Sequence, residues 1–168
     1  MKLFKKVLAV ALAAMLALTV FTACDGDDTT EVPSDNTAAA YLQELNTTAQ
    51  SNGMNNVLRY SADLSNVTRD KLNVWLRNKN GEKDVDTDDK LNDQFEAIDK
   101  KCKAERKYES IAYIVSQGDS KPVYKDLFAS KDLYESADKV AIIRIKNESD
   151  NGGDGKTYTM IELYREIV

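Results

Sequence analysis

The chain contains no histidine. That removes histidine triads, imidazole metal sites and the usual general base near neutral pH. Any catalysis would have to rest on carboxylates, lysine, tyrosine, serine or a thiol. Cysteine is nearly as scarce, with Cys24 and Cys102 the two examples, and proline also occurs twice among 168 residues. Positive charge is outweighed, 23 Lys+Arg against 28 Asp+Glu, for a net charge of −5. An acidic balance argues against nucleic acid and anionic lipid surfaces as partners. After Phe21 no second long apolar run follows, so no membrane-crossing helix is expected beyond that point.

What the chain does have begins at its start. Lys2, Lys5 and Lys6 precede Val7–Phe21, a stretch without a single charge. Its length suits the apolar region of a secretory leader and falls short of the ~20 residues a spanning helix needs. Thr22, Ala23 and Cys24 follow. This order resembles a bacterial lipobox, in which the cysteine is acylated and the chain is cut just before it; Phe21 stands where leucine is usual. The expectation is a lipoprotein leader over residues 1–23, with Cys24 as the lipidation site. Two or three acyl chains, at ~0.8 kcal/mol per buried CH₂, hold a protein on a membrane without crossing it. The protein is therefore placed on a bacterial cell membrane, facing away from the cytoplasm toward cell surface or periplasm. With Cys24 acylated, Cys102 has no partner for an internal disulfide.

Residues 24–36 comprise the lipidated cysteine and DGDDTTEVPSDN, an acidic, polar stretch that reads as a disordered tether. Residues 37–168 are long enough for one domain with a real core. Thr37–Ser51 patterns as a helix with Leu42, Leu45 and Ala49 on one face, stopped by Asn52-Gly53. A second helix starts near Ser61 and runs to about Arg77, with Leu64, Val67, Leu72, Trp75 and Leu76 facing inward. A third spans Asp88 to about Ala104, with Leu91, Phe95, Ile98 and Cys102 in line. The period then changes to two over Tyr108–Ser116, the mark of a strand. Asp119 or Ser120 can cap a short helix with Pro122 in its first turn, running to about Ser130. Lys139–Lys146 and Lys156–Ile167 read as strands joined by the turn ESDNGGDG. Helices first and a closing hairpin point to an α+β fold.

Few stretches carry chemistry. Cys102 lies on an apolar helix stripe and reads as a small core side chain, not an activated thiol. Asp84, Asp86 and Asp88 have the opening spacing of a calcium loop. Asp89 replaces the glycine such a loop needs at its sixth position, and Phe95 replaces the bidentate glutamate at its twelfth. A solvated acidic loop leading into a helix N terminus fits better. The glycines and acids of 150–155 are turn residues before they are an ion site. Tyr158, Met160 and Tyr164 share one strand face, expected to pack on a helix and not to line a ligand site.

Taken in order, these segments resemble a diverged bacterial member of the CAP superfamily, the cysteine-rich secretory, antigen-five and pathogenesis-related proteins. LQELNTTAQSNGMNNVLRYSADLSNVTRD at 42–70 is similar to the family's first two helices and the turn between them. YESIAY at 108–113 resembles its Gly-Glu-Asn-Ile-Ala-Tyr motif, with Glu109 at the glutamate position and Ser110 replacing asparagine. VYKDLFAS at 123–130 resembles a short helix of the family, and DKVAIIRI with KTYTMIELY its two closing strands. The likeness spans residues 38–167 and implies an α-β-α sandwich with N-terminal helices and a C-terminal antiparallel hairpin. The family's cleft holds two histidines and two glutamates. Both histidines are missing here, the Pro-Gly-His-Arg segment is absent between Ser130 and Lys131, and the second glutamate position falls near Lys121-Pro122. Glu109 alone remains, so neither metal nor cofactor is expected. The resulting expectation is a membrane-anchored, non-catalytic binding or interaction module with a protein or cell-wall partner. The alternative is a carboxylate-based hydrolase of cell-wall glycan or peptide using Glu109 and a second acid about 5–9.5 Å away. A transport-linked, two-lobed binding protein is disfavoured by size.

Overall fold

Asp35 starts the first helix. Its carboxylate accepts from the backbone N–H groups of Thr37 and Ala38 at 2.7 and 2.9 Å, satisfying two donors that a helix N terminus leaves open. The computed structural model describes residues 31–118 and 122–168, and within it α1 spans Asn36–Ser51. Gly53, at φ +74°, makes the left-handed turn that follows. A two-residue strand, β1 (Arg59–Tyr60), comes next. Ser61 then caps α2 (Ala62–Lys79), and Thr87 caps α3 (Asp88–Arg106), each accepting from the N–H three residues on. Lys107, in the left-handed region at φ 62°, closes α3 and turns the chain into β2 (Tyr108–Gln117).

The segment after β2 differs from expectation. In place of one helix ending at Ser130, a 3₁₀ turn covers Tyr124–Asp126 and a separate α4 covers Lys131–Glu135. The reason is local. Val123 is extended, and the Ser130 hydroxyl accepts from Leu133 N at 3.2 Å, so Ser130 opens a helix where it was expected to end one. Asp119 and Ser120, the expected caps, lie outside the described residues, as do residues 1–30 with the leader and Cys24. The described part forms a unit over Glu31–Val168. Residues 31–36, at the end of the expected tether, make contacts within it. Glu31 accepts from Ala62 N at 2.6 Å, Pro33 is buried, and Asp35 pairs with Arg144 at 3.2 Å.

The closing strands are β3 (Lys139–Lys146) and β4 (Thr157–Glu166). Sheet order is β1-β3-β4-β2, with β1 parallel to β3 and the other pairs antiparallel. β4 is central, and every residue from Tyr158 to Tyr164 is buried. Alternation along it sends Ile161 and Leu163 to one face and Tyr158, Met160, Glu162 and Tyr164 to the other. With Val140 and Ile142, the first face packs on Leu45 and Ala49 of α1 and on Leu127 and Tyr134. The second, with Ala141 and Ile143, packs on α2 and α3 through Leu64, Leu72, Phe95 and Cys102. The fold is α+β, with helices on both sides of the sheet.

Candidate functional site

Glu109 lies on β2, directly opposite Arg165 of β4. Arg165 Nε donates to its carboxylate at 2.9 Å, a second guanidinium nitrogen also reaches it, and Lys103 of α3 stands 3.5 Å away. The hydrogen bond from Arg165 pulls the Glu109 pKa below the usual glutamate value, and the charges of Arg165 and Lys103 add to this. A carboxylate held ionised and bonded in this way has no proton to give as a general acid near neutral pH. Of the two residues expected near a second acid position, Lys121 lies outside the described residues and Pro122 is buried.

From Tyr113 onward the outer side of β2 is an open edge. Gly118 N donates to Thr157 O at 2.6 Å, and antiparallel alternation then turns the N–H and C=O groups of Tyr113, Val115 and Gln117 away from β4. Among the described residues no strand pairs with that side. The Tyr113 side chain is 43% exposed and meets Phe95 of α3 edge-on, ring centroids 5.6 Å apart.

The most concentrated chemistry lies beneath this edge, at residues the sequence patterns did not single out. Lys71 of α2 is 1% exposed and Glu162 of β4 is 0% exposed. Lys71 Nζ donates to Glu162 Oε1 at 2.5 Å and stands equally close to Oδ1 of Asp99 on α3. The two partners differ in burial. Glu162 is fully buried, whereas the Asp99 side chain is 36% exposed although its Oδ1 is buried. Glu162 is otherwise saturated: Ser110 donates to Oε1 at 2.6 Å, and Thr68 and Tyr164 donate to Oε2 at 2.7 and 2.6 Å. Phe95 closes the site, its ring centroid 5.5 Å from the ammonium. Burial acts to lower the Lys71 pKa, but the Glu162 charge and the contacts to both carboxylates outweigh it, and the net shift is upward. Asp99 is raised by burial, which exceeds the opposing pull of Lys71. The signal for this cluster was a lysine on the inward stripe of α2 and a glutamate in the apolar alternation of β4.

The remaining candidates have structural surroundings. Cys102 is buried, and burial pushes its thiol up to about 11, so it is not a thiolate at neutral pH. Asp84 pairs with Arg77 and Asp86 with Lys90, while Asp88 begins α3. Among the described residues no three His, Cys, Asp or Glu side chains converge on a metal position. Tyr158 and Tyr164 pack toward α2, Tyr158 with its ring 5.4 Å from Trp75. In the 147–156 turn, Asp154 accepts from Tyr158 OH at 2.6 Å and from Lys156 N at 3.2 Å. Asn147 exchanges two amide hydrogen bonds with Asn80 at the end of α2, each 3.0 Å long. Gly153 is required there, because a Cβ would lie 2.5 Å from Ser149 O.

No protein-family model, curated protein or solved structure matches the chain. Function must therefore be argued from the site.

Proposed function

We propose that the protein is a membrane-anchored lipoprotein with a degenerate CAP-like domain that works as a non-catalytic binding module. The observation that carries this reading is the state of Glu109. The one cleft acid left by the family resemblance is engaged by Arg165 and Lys103 and held ionised. Beside it the edge of β2 offers a row of outward backbone groups, the surface that captures an extended peptide by strand addition. Affinity in that mode comes from main-chain hydrogen bonds, and Tyr113 supplies an exposed aromatic contact. The partner is accordingly an extended peptide segment, of a protein or of the cell wall, outside the cytoplasm.

The test is co-sedimentation of the purified protein with isolated cell walls, with release of soluble fragments followed in parallel. Binding without release is expected. Gln117→Pro, which removes one outward N–H where an edge strand tolerates proline, should weaken binding at least several-fold with the fold intact. Robust fragment release abolished by Glu109→Ala would replace this reading with the hydrolase. For the anchor, Cys24→Ala should move the protein out of the membrane fraction, and continued membrane retention would remove lipidation from the proposal.

A further inference from the structure

We propose that Lys71 and Asp99 condense to an intramolecular amide, a covalent cross-link between α2 and α3 formed by the folded protein itself, with Glu162 as the proton acceptor. The geometry supplies each requirement. An amine stands 2.5 Å from a carboxyl oxygen. A second carboxylate stands 2.5 Å from the same nitrogen to take its proton. Water is kept from the amine and its proton acceptor, since Lys71 and Glu162 are 1% and 0% exposed. The Asp99 side chain is 36% exposed, which leaves a path by which a released water departs.

The step balances without any co-reactant. The Lys71 ammonium gives a proton to Glu162, and the freed lone pair attacks Cγ of Asp99 in its protonated form, a form that burial favours. Glu162 passes its proton to the departing hydroxyl and takes a second from Nζ. The C–O bond breaks, the C–N bond remains, one water leaves, and Glu162 ends protonated. Nothing is oxidised or reduced. Lys71 favours its charged form, so the reactive amine is the minor species and the reaction is slow. Slowness is tolerable, because each molecule reacts once. Holding two groups in contact supplies effective concentrations on the order of 10⁵–10⁸ M, which no free amine and acid reach. Ser110, Thr68 and Tyr164 are positioning residues that fix Glu162. The cross-link requires neither the lipid anchor nor the peptide-binding reading.

The experiment is a tryptic digest of the purified full-length protein read by mass spectrometry. The expected product is Asp70–Arg77 joined to Leu91–Lys100, lighter than the two peptides together by one water, with no cleavage after Lys71. Cleavage after Lys71, together with an unmodified Leu91–Lys100 peptide, would overturn the proposal. Asp99→Ala should return Lys71 to normal cleavage. Glu162→Gln should leave the peptides unlinked, and linking to the wild-type extent would remove Glu162 from the reaction. Glu162→Asp, which keeps the charge on a shorter arm, is the second variant should the amide not fold. Linking slower than wild type supports the role, and linking at equal speed contradicts it.

Discussion

The two faces of the sheet are made from alternate residues of the same two strands, yet they are held by different physics. On the α1 face Val140, Ile142, Ile161 and Leu163 meet leucine, alanine and tyrosine side chains. On the α2 and α3 face the same strands contribute Ala141, Ile143, Met160 and two tyrosines, with Glu162 in the middle and Lys71 across from it. The first face is stabilised by volume and area, which many apolar side chains can supply. The second depends on satisfaction, because a buried carboxylate is tolerable only while its cation and hydroxyl donors are present. One face is therefore tolerant of composition and sensitive to cavities. The other is intolerant of losing a single partner.

The sharpest way to break this comparison is Lys71→Met, which keeps the length of the side chain and removes the nitrogen. Glu162 is left buried with hydroxyl donors alone, and the expected loss is about 3–5 kcal/mol. The double variant Lys71→Met with Glu162→Leu should recover most of that loss, because the one carboxylate then left without its cation, Asp99, is partly open to solvent. Urea unfolding of the two single variants and the double completes the cycle. On the opposite face, Leu163→Ala should cost about 3 kcal/mol, within the range for a buried leucine that leaves a cavity. No second substitution of polar type should rescue it. If Leu163→Ala were rescued, or the Lys71 cycle were additive, the two faces would be alike.

The contrast also explains what the sequence could disclose. Helix positions were legible because apolar periodicity persists along α1, α2 and α3, each of which the structure opens with a side-chain acceptor at Asp35, Ser61 or Thr87. The strands were legible because β2 changes the period to two, β3 is rich in valine and isoleucine, and turn residues lie between β3 and β4. β1 was not, since two residues in parallel pairing with β3 carry no period. α4 escaped for a similar reason, five residues being too few to pattern. In the site, Glu109 could be singled out as a candidate, but its engagement by Arg165 depends on a register between strands distant in sequence. Lys71 and Glu162 carry charge, and an apolar stripe does not count them. Charged residues are passed over when an apolar stripe is traced, although Lys71 follows Leu64 by seven and Glu162 falls between Met160 and Tyr164. A charge occurring in phase with the core is the clue to a buried pair.

A smaller effect tests how the apolar face is joined to the start of the domain. Asp35 both caps α1 and pairs with Arg144 of β3. Asp35→Ala should cost about 1 kcal/mol, mostly through the lost cap, because an exposed ion pair contributes little. Asp35→Asn should retain most of that cap, so a small cost for Asn and a larger one for Ala would separate capping from charge. Equal costs would give the stability to Arg144 instead.

The smallest effect concerns pH and lies at the far end of the second face, where Asp154 ties the 147–156 turn to Tyr158 and Lys79. The Tyr158 hydrogen bond, with help from Lys156 N and Lys79, holds its pKa down to about 2 against an ordinary value of 3.8. A folded-state pKa below the unfolded one means that the unfolded chain binds the proton more readily. The contribution of Asp154 is thus fully present above the unfolded value and is lost as pH falls from about 3.8 toward 2. Asp154→Asn should flatten stability against pH in that window and leave the slope near neutral pH unchanged, as thermal unfolding in a pH series can show. Because Asp154 is solvent-accessible, the change should be modest and should shrink in added salt. If the acid slope instead survives Asp154→Asn, the turn is held by the Asn80–Asn147 amide pair and by Gly153, and the charge at its centre is incidental to the hairpin.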